Sequence, residues 1–237
     1  MAERRKIDIH PEYSAQRRSH PPNPALRAVL EFIRRLRSSR RGWGRVADLG
    51  CGKLRHYTLL LSRAQELFLV DTPEQLSATH FDGGEEYTIL DVAKCARRKG
   101  RVVHATSFND FASGNLGLDL IVCVAVLDVV LPRVRTELIK SAAANLGPLG
   151  YCAIIAPRND STILKRCGEA NAYSDGHIFS HHGVQTFFHN FRNHTPIIRA
   201  CGDAGLRLLK DLSCYRQVCL VFGRQPGSVR ERSQNCR

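Results

Sequence analysis

Apolar positions along this chain follow two alternating rhythms. Leu26, Val29, Leu30, Ile33 and Leu36 recur at helical spacing behind Asn23-Pro24, an N-cap followed by a first-turn proline. That pattern predicts a helix ending between Ser38 and Gly42. From Arg45 onward, short apolar runs at 46–49, 67–70, 102–105, 118–124 and 151–156 alternate with helical segments. Such alternation predicts repeated βα units on a mostly parallel sheet. Val134, Leu138, Ala142 and Leu146 give one helix an apolar face that Gly147-Pro148 should stop. A further helix opens at Thr195-Pro196 and runs through Ile197, Ile198, Cys201 and Ala204 to Gly205. Two strands follow with no helix between them, at 206–212 and 217–222, and the short link around Ser213-Cys214-Tyr215-Arg216 makes them an antiparallel hairpin.

The chain is therefore expected to be one α/β domain of 237 residues, doubly wound, whose mostly parallel seven-stranded sheet ends in a hairpin. Residues 1–44 read as a basic arm and helix, 45–224 as the domain, and 225–237 as a polar tail. Within the domain, residues 158–194 read as an insert over the carboxyl ends of the strands, where ligands bind in such folds, forming a substrate cap together with the N-terminal helix. No apolar run reaches the roughly 20 residues of a membrane span, and no signal-peptide segment follows the start, so a cytoplasmic protein without a membrane partner is expected. The nine cysteines include no CxxC pair, which favours free thiols over disulfides or zinc.

Net charge is +13, and its distribution changes the picture more than its size. Residues 1–45 hold 12 Lys/Arg against 4 Asp/Glu, whereas 46–224 hold 20 against 17. The arm could attract a polyanion, yet arginine-rich ends are also common solvated surface, and the near-neutral domain favours a small-molecule partner over nucleic acid.

The most informative stretch is Val46-Ala-Asp48-Leu-Gly50-Cys51-Gly52, an apolar strand that enters a glycine turn and then a helix. Glycines let the backbone of such a turn approach a ligand lying across the strand ends. Asp71 closes the next strand, Leu67-Phe-Leu-Val, 23 residues after Asp48, where a carboxylate can accept hydrogen bonds from two sugar hydroxyls. The dinucleotide pattern GxGxxG would require its third glycine at Arg55, which argues against NAD.

Together Asp48-Leu-Gly-Cys-Gly, Asp71 and the closing hairpin resemble the class I S-adenosylmethionine (SAM)-dependent methyltransferases. The resemblance covers roughly residues 45–224 and is concentrated at 46–52 and 67–71. It implies SAM as cofactor, with Gly50, Cys51 and Gly52 beneath it, Asp48 near its methionine end, and Asp71 and Thr72 at its ribose. It also implies an adenine segment at Thr106, Ser107 and Phe108, for which a turn capped by Asn109 or Asp110 is the alternative, and a cavity wall at Val124, Ala125 and Val126. One position departs from the family: a third glycine would fall where Leu54 stands, which suggests a reshaped turn with Lys53 and Arg55 at the mouth.

Methyl transfer from SAM mainly requires alignment and exclusion of water, and a hydroxyl or amine acceptor also needs a proton acceptor. Asp128 could serve there, or cap the following helix. Half of the ten histidines fall between Tyr173 and His194, accompanied by Phe179, Phe187, Phe188 and Phe191. From this run Tyr173, His177 and His181 join Asp128 as candidate catalytic residues, with His182 beside them. Their spacings match no metal motif, so no metal is expected. A nucleic-acid methyltransferase using the arm, and a SAM-binding protein without turnover, are the alternatives.

Overall fold

A computed structural model describes residues 10, 20–37, 42–158, 171–181 and 184–225. Helix α1 (Pro24–Leu36) is followed by β1 (Trp43–Leu49), α2 (Tyr57–Leu61), β2 (Ala64–Asp71) and α3 (Pro73–Ser77). A small hairpin, β3 (His80–Asp82) and β4 (Glu85–Tyr87), leads to α4 (Ile89–Arg98), β5 (Val102–Ser107), α5 (Phe108–Ser113) and β6 (Leu118–Val124). Then come α6 (Pro132–Asn145) and β7 (Leu146–Pro157). The strands β8 (Asn171–Tyr173), β9 (Gly176–His181) and β10 (Val184–Phe188) precede α7 (Thr195–Asp203), β11 (Leu206–Asp211) and β12 (Gln217–Arg224).

Seven strands form one sheet in the order β11-β12-β7-β6-β1-β2-β5. β5, β2, β1, β6 and β7 are mutually parallel, and β12 runs antiparallel to both β7 and β11. The predicted seven-stranded architecture and its closing hairpin are both present. Alternate side chains enter opposite layers: Val46, Leu120, Val122 and Ala153 join Leu26, Ile33 and Ile89 from α1 and α4. Ala47, Ile121, Cys123 and Ile154 join Leu138, Ala142, Ile197 and Cys201 from α6 and α7. The predicted α1 face is buried at Leu26, Val29, Leu30 and Ile33, and the Asn23 side chain caps the helix through the Ala25 N–H.

α6 ends at Asn145 with Leu146 as its C-cap, just ahead of the Gly147-Pro148 expected to stop it, and β7 begins directly at Leu146. The fully buried Asn145 amide braces this end: it donates to the carbonyls of Phe111 and Ser141, while its oxygen accepts from the Leu116 N–H. Part of the 158–194 insert is a three-stranded antiparallel sheet in the order β10-β9-β8, which the pattern of residues did not announce. The β3-β4 hairpin was likewise unannounced; it turns at Gly83-Gly84, both at positive φ. Among the described residues no helix is long and apolar enough to cross a membrane. Cys51, Cys123, Cys152, Cys201 and Cys219 are buried free thiols.

Candidate functional site at the carboxyl ends of the strands

The order β6-β1-β2-β5 places the ends of four strands side by side, with Leu49 opposite Val70 and Asp71 opposite Ser107. After β1 the chain turns sharply, and both Gly50 and Cys51 donate their N–H groups to the Val70 carbonyl at 2.8 and 3.1 Å. Gly50 and Gly52 take φ values of 78° and 52°. A Cβ at Gly50 would stand 2.3 Å from Val126 Cγ2, so this glycine is demanded by the protein's own loop after β6 as well as by any ligand above it. Asp71 then ties the turn to β2. Its Oδ2 accepts from the Gly52 N–H at 2.8 Å and its Oδ1 from the Thr72 N–H at 2.9 Å. The Thr72 hydroxyl accepts the Gln75 N–H at 3.2 Å and caps α3.

Asp48 is 1% exposed, and its Oδ2 has no hydrogen-bond partner among the described residues. Burial, reinforced by the nearby Asp71 charge, pushes its carboxyl up to about 7. Burial likewise raises the Cys51 thiol well above its usual range. The turn is braced from outside: the Tyr87 hydroxyl donates to the Lys53 carbonyl at 3.1 Å, and Arg55 Nε donates to the Pro21 carbonyl at 2.8 Å. His56, 7% exposed, is pushed down to about 4 by burial.

Leu54 adopts φ 62°, the left-handed region in which a third glycine would be at ease, but its side chain is 1% exposed within the α1 layer. Leu54→Gly should relieve about 1 kcal/mol of backbone strain and forfeit about 3 kcal/mol of packing. Urea unfolding should therefore find this variant roughly 2 kcal/mol less stable. A more stable variant would show that the Leu54 side chain contributes little to the core.

Ser107 is the N-cap of α5, accepting the Asp110 N–H at 3.1 Å, and its own hydroxyl donates to Asp110 Oδ2 at 2.6 Å. The alternative of a capped turn holds, but its cap is Ser107, two to three residues ahead of Asn109 and Asp110, because a reciprocal serine and aspartate pair satisfies the helix start. Thr106 ends β5 beside Ser107, while Phe108 packs, partly buried, against the α6 and α7 layer. Val124 is buried in the α1 layer. Ala125, at φ 54°, donates its N–H to the Ile155 carbonyl at 2.8 Å and turns the chain out of β6.

Beyond that turn a closed ring of hydrogen bonds joins the three-stranded sheet to the domain. The His189 N–H donates to the Asp128 carbonyl at 2.7 Å, and His189 Nδ1 contacts the Asp175 carbonyl at 2.5 Å. Asp175 Oδ2 accepts from Arg135 Nη1, and Arg135 Nε donates to the Leu127 carbonyl at 2.5 Å. The Arg135 guanidinium, 5.5 and 5.3 Å from the ring centroids of Phe187 and Phe191, is held between α6 and the insert. Asp128 is 2% exposed, has no partner for Oδ1, and is pushed up to about 7 by burial against the pull of Arg135. It does not cap α6, whose N-cap is Leu131.

No family model matches the chain. It is 24% identical over 207 residues to the uncharacterized protein YmfD of Escherichia coli K12, covering 87% of this chain and 88% of that one. Solved structures agree across most of the chain. A SAM-dependent methyltransferase from Clostridium acetobutylicum superposes with a TM-score of 0.59 at 10% identity, covering 86% of this chain and 93% of its own. The 1,6-didemethyltoxoflavin-N1-methyltransferase of Burkholderia thailandensis, solved with 1,6-didemethyltoxoflavin and S-adenosylhomocysteine, gives 0.56 at 13% identity, covering 86% and 80%. The magnesium protoporphyrin IX methyltransferase of Synechocystis, solved with S-adenosylhomocysteine, gives 0.56 at 16%, covering 84% and 82%. The chain has the class I SAM-dependent methyltransferase fold.

Within this methyltransferase fold, Asp48, Gly50, Cys51, Gly52, Asp71 and Thr72 come together through bonds between the two strand ends, with Ser107 and Ala125 on the flanking strands. Of the catalytic candidates, Asp128 and His177 lie near the ring of hydrogen bonds. His177 pairs with Phe188 across the small sheet, and its buried Nδ1 has no partner among the described residues. Tyr173 is 37% exposed at the β8-β9 turn. His181 ends β9, and its side chain lies outside the described residues, as does His182. Arg135, Asp175 and His189 were not singled out from the sequence. The signal for Arg135 was a basic residue in step with Leu138, Ile139 and Ala142 on the apolar face of α6.

Proposed function

We propose that the protein is a SAM-dependent methyltransferase acting on a small-molecule acceptor. The observation that carries this reading is the Asp71 carboxylate, fixed at the end of β2 by the Gly52 and Thr72 N–H groups. An ionised carboxylate accepts several hydrogen bonds at once, so Asp71 suits the two ribose hydroxyls of SAM. The orphaned Asp48 Oδ2 suits the ammonium at the methionine end, whose charge would also draw Asp48 back into its ionised form. Gly50, Cys51 and Gly52 would underlie the cofactor, with Thr72, Thr106, Ser107 and Phe108 toward its adenosine end and Val124 and Ala125 toward the methyl. The bound cofactor supplies an activated methyl group; the chain's task is to orient an acceptor beside it and exclude water.

The acceptor would approach beside the junction of the β6-α6 loop and the insert sheet, on the side of Asp128 and His177, with Tyr173 and His181 also on the insert. Two considerations support a small molecule: the near-neutral charge of residues 46–224, and the small-molecule substrates named for the toxoflavin and protoporphyrin enzymes. A nucleic-acid acceptor would rely on the basic arm, and on α1 two of its arginines, Arg34 and Arg35, already share Glu31. Incubation with methyl-tritiated SAM and separate small-molecule and RNA fractions should label the small-molecule fraction. Label confined to RNA, lost when residues 1–22 are deleted, would overturn the acceptor class.

A further inference from the structure

Two neutral tautomers are open to a histidine, and the partner of one nitrogen decides which is present. His189 Nδ1 lies 2.5 Å from the Asp175 backbone carbonyl, with the Asp175 carboxylate at 3.4 Å. A carbonyl oxygen can only accept, so Nδ1 carries the hydrogen and Nε2 is left with a lone pair. No described residue bonds Nε2, and the side chain is 20% exposed. The backbone holds this imidazole in place as well: its N–H bonds the Asp128 carbonyl, three residues past Ala125 where β6 ends beside the glycine turn. The edge of the ring rests on Phe191 at 4.4 Å between centroids.

The geometry points to His189 as the proton acceptor of the methyl-transfer site, oriented by Asp175 and suited to an acceptor that carries an ionisable O–H or N–H. This inference rests on the proposed SAM chemistry. As the acceptor's lone pair bonds to the methyl carbon, the electrons of the broken carbon–sulfur bond stay on sulfur. The acceptor's proton passes to Nε2, giving an imidazolium that Asp175 steadies and that later returns the proton to water. The titratable and charged groups facing His189 are Arg135 from α6 and Asp175 and His177 from the insert, while Asp128 of the β6-α6 loop meets it through its backbone carbonyl. Burial, with help from Arg135, lowers the His189 pKa below its ordinary 6.5 against the opposing pull of Asp175, which keeps Nε2 unprotonated at neutral pH.

Sinefungin tests this placement without any knowledge of the acceptor, because it carries an ammonium where SAM carries its methyl. A lone pair facing that position should make sinefungin bind roughly tenfold more tightly than S-adenosylhomocysteine, the scale of one charged hydrogen bond. His189→Leu should erase the advantage while leaving the affinity for S-adenosylhomocysteine within twofold, which also certifies the fold. In the wild type the advantage should persist through neutral pH and fade only in acid, once the pH falls through the lowered His189 pKa and the imidazole becomes charged. A variant that binds S-adenosylhomocysteine normally and keeps the full sinefungin advantage overturns the assignment of His189 alone. A folded wild type that binds neither compound overturns the SAM reading and this inference together.

Discussion

Gly50→Ala is expected to cost the fold roughly 3–4 kcal/mol, a large share of the 5–15 kcal/mol typical of a whole domain. Two effects add. A non-glycine residue at φ 78° is strained by about 1–2 kcal/mol, and a Cβ 2.3 Å from Val126 Cγ2 overpacks the junction by about 1–3 kcal/mol. Only the second depends on Val126. In a Val126→Ala background the nearest side-chain atom becomes Cβ, 3.3 Å away, still a close contact, so the cost of Gly50→Ala should fall to the strain plus a small remainder of the overpacking. A double-mutant cycle by urea unfolding should therefore return a coupling above about 1 kcal/mol. Additive effects would mean that the glycine turn and the β6 loop do not press on each other.

Asp71→Ala is the second large effect, and it acts on ligand binding more than on folding. It strips the acceptor from the Gly52 and Thr72 N–H groups, which hold the turn and α3 against β2. It also removes the carboxylate proposed to meet the ribose. Two charged hydrogen bonds to a ligand are worth about 3 kcal/mol or more together, so affinity for S-adenosylhomocysteine should fall by at least about 100-fold. Asp71→Asn, which keeps one accepting oxygen, should fall between this variant and the wild type. Equal binding by all three proteins would remove Asp71 from the site.

What could be read from the sequence follows from how local each feature is. The strand ending at Leu49 and its glycine turn are written in consecutive residues, as is the strand that ends at Asp71, so both were legible together with their spacing. Leu54 was visible as a departure, but only the folded chain shows why it is tolerated: its side chain turns into the α1 layer while its backbone keeps the glycine conformation. The insert sheet was not legible, because its strands mix histidines and aromatics without a clean alternation; burial concentrates at Ile178, Phe187 and Phe188. The same holds for the bond between Arg135 and Asp175, 40 residues apart, which exists only because the turn between β8 and β9 reaches α6. His189 was one histidine among five in its stretch, and a carbonyl contact made through a turn set it apart. The reason for Gly50 was half legible: a turn was evident, whereas its pressure on Val126 depends on β6 lying next to β1.

Whether the strand ends beneath Asp48 and Asp71 hold SAM is decided by calorimetric titration of the wild-type protein with S-adenosylhomocysteine near pH 7. Binding in the micromolar range is expected, with a heat that varies between buffers of different ionisation enthalpy, because an ammonium set against Asp48 as proposed would draw its carboxyl from about 7 toward the ionised form and release protons. A folded protein that gives no binding heat in any buffer, with S-adenosylhomocysteine or with SAM, would mean that these strand ends hold no SAM.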